Sequence, residues 1–562
     1  MRRALLLAAL LALALPAAAG AHATLEGTVP AQGATVKTQP AMVVFRFDEN
    51  VEGNFGAVRV FDSAGKRADQ GDAFHPGGRG DEMAVHLKPR LPFGTYTATY
   101  RVVSADSHIV SSGFVFSIGR QGAAPGKSVA QLTAGSKLST TDKVAFDAVR
   151  ALQYGAIAVA AGALVFLLVV WLPALGALGG DGSAFARRWR TVVLVACAVG
   201  VVSAAAGIVL EAAEAAGISF WSALKVHIVR EELSTRFGTI WGIAVLVWIA
   251  VAVLAAVPRR RVLTWALAVP LGFLVLLPAL SGHGSTQSPT GVMFPANAIH
   301  VAAISSWLGG LVLLLAAVPA ATRSLAPTNR TRLLAAVLVR FSPLALGAVI
   351  VILTTGLVQS YVEIRHLNLI FTTSFGIAAF IKLCVLIGLI GLGALNRQRT
   401  VPRLRALAAE GATPGTAGVT LRNTLRAEVL TIVAVLGVAG ALAGYAPAIA
   451  QYTGPFSTTT RIGPKLLQID LDPARVGLNT VHLYITDPKT GQQFAGAKEI
   501  DLAEVLPSKG IGPLNQKGTI SGPGHFTVTG VLLNVPGTWR VTVTLRVSAF
   551  DEFTKTLKVR VR

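Results

Sequence analysis

Eight long apolar stretches between residues 147 and 446 constrain the fold of this chain more than any other feature. Each approaches or exceeds the ~20 residues that a helix needs to cross the hydrocarbon core of a bilayer. The hydrophobic content of 52% and the charged fraction of 14% are typical of a multi-pass membrane protein. The stretches therefore predict an eight-helix transmembrane bundle, and they cover about 147–175, 190–213, 237–257, 262–280, 292–318, 340–361, 371–395 and 425–446.

The distribution of basic residues predicts the orientation of the bundle. A net charge of +22 would suggest nucleic-acid binding in a soluble protein, but the arginines here lie in short loops between the apolar stretches. If the N-terminal region is outside, the inner loops hold 16 Lys and Arg residues and the outer loops hold four. The positive-inside rule then predicts a multi-pass protein of the cell (inner or plasma) membrane with both terminal regions exported. Nucleic acid is not expected as a partner.

The N-terminus has the residue order of a secretory signal peptide. Arg2 and Arg3 precede an apolar run that ends at Leu15, and small residues follow up to Ala21. Cleavage after Ala21 would remove residues 1–21 and leave His22 as the first residue, where its α-amine and imidazole could chelate one metal ion. If cleavage falls one or two residues away, His22 is an ordinary terminal residue.

Residues 22–119 are predicted to form an antiparallel β-sandwich, because short alternating runs such as 42–47 and 95–103 are punctuated by Gly, Pro and Asp. If Asp106 and His108 lie in a strand, they share a face. Together with His22 they would make a nitrogen-rich site suited to Cu(II). In the alternative interpretation, Asp106 caps a turn and His108 is a surface residue.

The remaining segments complete the domain organisation. Residues 120–142 are rich in Gly, Ala, Ser and Lys and are predicted to be a linker to the membrane domain at 143–450. Residues 451–562 alternate again and predict a second, C-terminal β-sandwich, in which His482 and His525 are expected to be surface or turn residues. The two cysteines, Cys197 and Cys384, both lie in apolar stretches and offer no disulfide framework.

The N-terminal domain resembles the periplasmic copper-binding CopC family. The resemblance is carried by the start of the domain, residues 22–34, and by the later stretch 104–116. It implies a Cu(II) site formed by the amine and imidazole of His22 with Asp106 and His108. The domain holds only two methionines, Met42 and Met83, so a methionine-rich Cu(I) site is not expected.

The membrane domain resembles the CopD family of copper-resistance and transport proteins, and the C-terminal domain resembles the YtkA-like domains. The CopD resemblance is carried by Ser281-Gly282-His283, residues 298–311, Phe375-Gly376, Lys382, Asn396-Arg397 and Arg426-Ala427-Glu428. The YtkA-like resemblance is carried by residues 522–526 and 536–539. Together the three resemblances indicate a CopC/CopD fusion copper protein of the YcnJ-like family.

Ionisable side chains inside apolar stretches are costly and often mark sites or pathways. His283 at the outer end of the fourth stretch and His300, two turns into the fifth, could relay copper, and Met293 offers a soft ligand for Cu(I). In the alternative interpretation His283 is a loop residue, His300 makes an interhelical hydrogen bond and Met293 packs. Lys382 is expected to pair with Glu428 or to support helix packing.

The implied function is capture of Cu(II) outside the membrane and movement of copper across it, inward. The expected partners are the copper ion, the lipid membrane and copper-carrier proteins of the cell envelope. One alternative is a copper-resistance protein that sequesters or senses copper without transport. A more distant alternative is a copper monooxygenase, because an N-terminal histidine chelate also occurs there. The small first domain, which shows no aromatic substrate platform, favours a protein that is not an enzyme.

Overall fold

The computed structural model describes residues 23, 25–31, 34–53, 57–104, 109–120, 139–178, 182–257, 261–323, 325–449, 456–472, 474–488, 494, 496–522 and 524–561. For residues 178, 261–263, 283, 457, 472, 521 and 522 it describes only the backbone. The chain divides into a helical unit, residues 138–214 and 219–449, and a β-rich unit that holds residues 22–137, 215–218 and 450–562. The signal peptide predicted at residues 1–21 lies outside the described residues.

The N-terminal domain consists of two sheets, as predicted. One sheet has the order β1-β3-β6, and the other has the order β2-β8-β7-β4 with β5 also paired to β7. Phe45 of the first sheet meets Tyr100 and Phe114 of the second edge to face, at centroid distances of 5.1 and 5.3 Å. These rings are buried, so the two sheets enclose a shared core. The strands are β1 (Leu25–Val29), β2 (Thr35–Val36), β3 (Met42–Phe47), β4 (Val51–Glu52), β5 (Val58–Phe61), β6 (Glu82–His86), β7 (Gly94–Ser104) and β8 (Ile109–Ile118).

Within the described residues, the helical unit contains eight helical segments long and apolar enough to cross a membrane, in agreement with the sequence. Hydroxyl side chains cap the N-termini of several of these helices. Ser139 Oγ accepts a hydrogen bond from the Asp142 N–H, and Thr373 Oγ1 accepts one from the Gly376 N–H, each at 3.0 Å. The helices are α1 (Thr140–Val165), α2 (Leu172–Leu178), α3 (Ser183–Ala216), α4 (Phe220–Ala223), α5 (Val226–Leu233), α6 (Arg236–Ala256), α7 (Arg261–Ala266), α8 (Ala268–Ser281), α9 (Thr290–Ala316), α10 (Val318–Thr322), α11 (Pro327–Ile364), α12 (Leu369–Thr372), α13 (Ser374–Leu395), α14 (Val401–Ala409) and α15 (Gly415–Leu442).

Helices α1 and α9 are the most buried of the spans and pack through glycine. In their most apolar windows 67% and 61% of residues are buried, against 22–50% in the other spans. A Cβ added at Gly162 of α1 would lie 1.8 Å from the Ser305 carbonyl oxygen of α9, and one at Gly309 would lie 2.6 Å from Gly162 Cα. The absence of side chains at these two positions therefore allows the helix backbones to approach closely.

The C-terminal domain is a second two-sheet β structure, as predicted. The sheets have the orders β14-β15-β11-β10-β9 and β13-β12-β16-β17, and apolar side chains of both, among them Leu483 and Val543, form its core. Glu504 of β12 is fully buried among these alternating positions. The strands are β9 (Phe456–Ile462), β10 (Lys465–Asp472), β11 (Gly477–Thr486), β12 (Glu499–Leu506), β13 (Ile511–Lys517), β14 (Thr519–Gly522), β15 (His525–Leu533), β16 (Gly537–Arg546) and β17 (Glu552–Val561).

The expectation that His482 and His525 are surface or turn residues is wrong. Their side chains lie in β11 and β15, where only 9% and 4% of their surfaces are exposed. The neighbouring strand pair brings the two imidazoles together, with His482 Nδ1 and His525 Nε2 3.2 Å apart. The error arises because residues distant in sequence become neighbours only through strand pairing.

Candidate functional site

The three residues predicted to hold Cu(II), His22, Asp106 and His108, lie outside the described residues. Their described neighbours are nevertheless connected. The backbone N–H of Ala23, one residue after His22, donates a buried hydrogen bond of 3.3 Å to Ser104 Oγ, two residues before Asp106. Ser104 Oγ in turn donates to the Glu49 carboxylate. The fold therefore holds Ala23 beside Ser104, the last residue of β7.

The helical unit contains a cavity of about 740 Å³. Its lining comes from spans that are distant in sequence, including α1, α8, α9, α11, α13 and α15, and most of it is apolar. Polar groups at membrane depth are costly without a partner and therefore often mark functional sites. Imidazole, amide and carboxylate groups in such a setting can bind a cation or relay a proton. Polar residues that line the cavity include Tyr154, Asn297, His300, Gln359, Glu363 and Lys382.

His300 is held in one orientation by α11. Its Nδ1 lies 2.9 Å from Thr355 Oγ1. The Thr355 hydroxyl donates its own hydrogen to the Val351 carbonyl oxygen at 2.6 Å, so the bond to His300 requires Nδ1 to be the donor. The hydrogen-bond pattern thus places a hydrogen on Nδ1. In the neutral imidazole with this tautomer, Nε2 carries the lone pair that can bind a metal ion.

Asn297, one turn before His300, provides a second polar group. Its Nδ2 donates to Gln359 Oε1 at 3.4 Å, and Gln359 Nε2 donates to the Thr355 carbonyl oxygen at 3.2 Å. Its Oδ1 is buried without a hydrogen-bond partner among the described residues. An amide oxygen left without a donor is a suitable acceptor for a cation or for a hydrogen-bond donor that enters the cavity.

Lys382 lies near acidic and imidazole groups of the cavity. It interacts electrostatically with both Glu363 and His300. The expected pairing of Lys382 with Glu428 is wrong: Glu428 instead accepts a 2.8 Å hydrogen bond from Asn396 Nδ2. The reason is geometric, because Lys382 of α13 and Glu363 of α11 line the same cavity.

The other two predicted relay residues have different positions. His283 begins a short 3₁₀ turn, His283–Ser285, and Gly282 and Gly284 on either side of it line the cavity. The structure does not describe the His283 side chain. Met293 is only 1% exposed and precedes His300 by two turns, on the same face of α9 as Asn297. The structure thus places His300 at the cavity, the His283 backbone at its edge and Met293 along the α9 face that leads to it.

The sequence reasoning missed Thr355, Gln359 and Glu363. Their spacing of four residues places them on one face of a helix, inside an otherwise apolar span. Polar residues at that spacing are a signal for a face turned towards a cavity or another helix. The signal was available, but it does not identify which helix lies opposite.

Comparison with known families and proteins agrees with the domain order. The CopC domain matches residues 25–119, the copper resistance protein D-like N-terminal domain matches residues 140–293, and copper resistance protein D matches residues 335–442. The copper transport protein CutJ of Bacillus subtilis (strain 168) is 28% identical over 558 residues, which are 96% of this chain and 97% of CutJ.

Two further likenesses concern the N-terminal domain alone. Protein YobA of Escherichia coli (strain K12) is 30% identical over 98 residues, which are 17% of this chain and 79% of YobA. The crystal structure of CopC from Methylosinus trichosporium OB3b is 28% identical and covers 17% of this chain and 93% of that protein, with a TM-score of 0.16. The expected CopC and CopD domains are thus both present in this one polypeptide, which is similar over nearly its whole length to a copper transport protein.

Proposed function

We propose that the N-terminal domain captures Cu(II) outside the membrane and that the helical unit moves copper inward through the cavity. The observation that carries the transport step is His300: it lines a cavity among the membrane spans, and its Nδ1–H is held by Thr355, which leaves Nε2 as a ligand. Similarity to a copper transport protein over nearly the whole chain supports a role of this chain in moving copper.

The capture step uses the N-terminal chelate. His22 supplies its α-amine and imidazole, and Asp106 and His108 complete a site suited to Cu(II). The Ala23–Ser104 hydrogen bond supports this arrangement, because it holds the residue after His22 close to the strand end that precedes Asp106. The site depends on an exposed N-terminal amine, so it requires cleavage after Ala21.

The membrane step uses His283, Met293 and His300 in succession. Imidazole binds copper in either oxidation state, and the Met293 thioether favours Cu(I). The buried Asn297 Oδ1 supports the proposal, because it offers a further oxygen donor one turn from His300. A protonated lysine cannot ligate a metal, so Lys382 would contribute through its electrostatic interaction with Glu363.

The experiment measures copper content in cells that lack the gene and in cells that re-express the chain. An importer restores copper content, whereas a sequestration or resistance protein leaves it unchanged or lowers it. His300→Ala should abolish the restored accumulation while the N-terminal domain still binds Cu(II). The matched control is His227→Ala, since His227 is an exposed histidine of the same helical unit. Normal accumulation by His300→Ala at normal protein level would exclude His300 from the route.

A further inference from the structure

The C-terminal domain contains a group of imidazole, hydroxyl and phenol side chains that the functions described above do not use. In the antiparallel pair β11 and β15, His482 lies opposite Thr527, and Tyr484 lies opposite His525. These four side chains share one face of the sheet. The opposite face carries the apolar residues of the domain core, such as Leu483 and Phe526. The two imidazoles are therefore outside the apolar core and yet are buried.

Three donor atoms of this group form a nearly regular triangle. His482 Nδ1 and His525 Nε2 are 3.2 Å apart, Thr527 Oγ1 is 3.3 Å from the first, and it is 3.5 Å from the second. Three ligands of one tetrahedral ion with bonds of ~2.0–2.1 Å lie about 3.3–3.4 Å from each other. The spacing of the three atoms thus matches one face of such a coordination sphere.

Hydrogen bonding alone accounts for only part of the triangle. A ring nitrogen presents a single in-plane direction, which is either an N–H or a lone pair. Two ring nitrogens and one hydroxyl can therefore form linear hydrogen bonds along at most two of the three edges. An ion at the centre would interact with all three atoms.

The surroundings favour a neutral, oriented pair of imidazoles. Burial lowers the pKa of His482 to about 4, and burial with the neighbouring His482 lowers the pKa of His525 well below its ordinary value. The Tyr484 ring stacks on His525 at a centroid distance of 4.3 Å and restrains its orientation.

A carboxylate lies beside this group. Asp470 of β10 is the cross-strand neighbour of His482. Burial raises the pKa of Tyr484, and the charge of Asp470 raises it further. The Asp470 carboxylate is therefore close enough to act on this group of side chains. A nearby anion offsets part of the charge of a bound cation.

We propose that His482 and His525, with the Thr527 hydroxyl as a third donor, form a transition-metal site in the C-terminal domain. The ion belongs to the class that prefers imidazole, and copper(II) binds more tightly than zinc by the general order of affinities. This proposal rests on the geometry of the C-terminal domain and is independent of transport through the membrane.

The test uses the full chain in detergent with His22→Ala, His108→Ala, His283→Ala and His300→Ala, which remove the imidazoles of the copper positions proposed elsewhere. Titration with Cu(II), and separately with Zn(II), against a chromophoric chelator should show one bound equivalent. Either His482→Gln or His525→Gln should weaken that binding at least ~10-fold. His227→Gln is the matched control and should leave it unchanged, because His227 is exposed in the helical unit.

Two further measurements keep the result decisive if a histidine variant fails to fold. Thr527→Val retains both imidazoles and should weaken binding by a smaller factor. Electron paramagnetic resonance of the Cu(II)-loaded background protein should show two nitrogen ligands. The proposal is overturned if the background protein binds no equivalent, if both histidine variants bind as tightly as it does, or if the spectrum shows no nitrogen ligand.

Discussion

Replacing Thr355 by valine tests whether the hydrogen bond to His300 prepares the imidazole for copper. Valine keeps the shape of threonine but removes Oγ1, which accepts from His300 Nδ1 at 2.9 Å. His300 then loses the partner that holds hydrogen on Nδ1. The tautomer with hydrogen on Nε2, which has no lone pair there for a metal ion, then becomes more populated.

The structure sets the size of the effect. A buried donor that loses its acceptor costs ~1–3 kcal/mol, and 1.36 kcal/mol corresponds to about tenfold in an equilibrium constant. The expected loss of copper affinity at the cavity is therefore about 5- to 150-fold. Loss of a hydrogen-bond partner of a metal-binding histidine typically costs ~10–100-fold in other proteins, which is the same range.

The assay is the initial rate of copper uptake against copper concentration in cells or vesicles with matched amounts of protein. Thr355→Val should raise KM or lower the rate at limiting copper by the stated factor. Thr355→Ser retains the hydroxyl and serves as the matched control, with uptake close to wild type. Equal uptake curves for the valine variant and wild type would refute the role assigned to this bond.

Three other outcomes are expected. One extra residue before His22, or His108→Ala, should weaken Cu(II) binding by the N-terminal domain, as measured by competition with a chelator. A reporter fused after Arg405 should be cytoplasmic and one fused after Arg562 should be exported, because the basic residues concentrate in the inner loops. Glu504→Gln should stabilise the C-terminal domain at pH 8 by ~1–3 kcal/mol, as measured by hydrogen exchange of β12.

The pH dependence expected for Glu504→Gln follows from the raised pKa of Glu504. Burial raises the pKa of Glu504 to about 7, from 4.5. The folded state therefore binds more protons than the unfolded state between these values, so stability falls as pH rises from about 4.5 to about 7 and is level above that. Glutamine has no such titration, so the difference in exchange between wild type and Glu504→Gln should shrink to near zero at pH 4, which is the control. Exchange at pH 8 that is unchanged by Glu504→Gln would contradict the cause assigned to the shift.

The other two predictions have equally direct counter-results. Tight Cu(II) binding retained in both N-terminal variants would exclude the amine–imidazole chelate. A cytoplasmic reporter at Arg562 would mean that the number of crossings is odd, and that one of the eight spans does not cross the membrane.

The number and order of the domains could be predicted because they depend on local patterns. Apolar length predicts spans such as α9, and alternation predicts strands such as β11. The partners of buried polar groups could not be predicted in the same way. Lys382 interacts with Glu363, and His482 lies near His525, because helix packing and strand pairing bring together residues that the sequence separates.

For the candidate copper positions, the residue could be selected from the sequence, but its hydrogen-bond partners could not. His300 could be selected from sequence, since an imidazole within an apolar span is unusual. Its tautomer could not, because that depends on Thr355, 55 residues away. The hydrogen-bond partner of Asn297 could not be predicted either, because Gln359 is 62 residues away in sequence.

The glycine contact between α1 and α9 also makes the environment of His300 sensitive to substitutions far from it. Because Gly162 and Gly309 leave no room for a side chain, a larger residue at either position would push the two helices apart. His300 lies on α9, so such a displacement would move its imidazole relative to Thr355 of α11. The hydrogen bond between Thr355 and His300 Nδ1 thus depends on two glycines that contact neither partner.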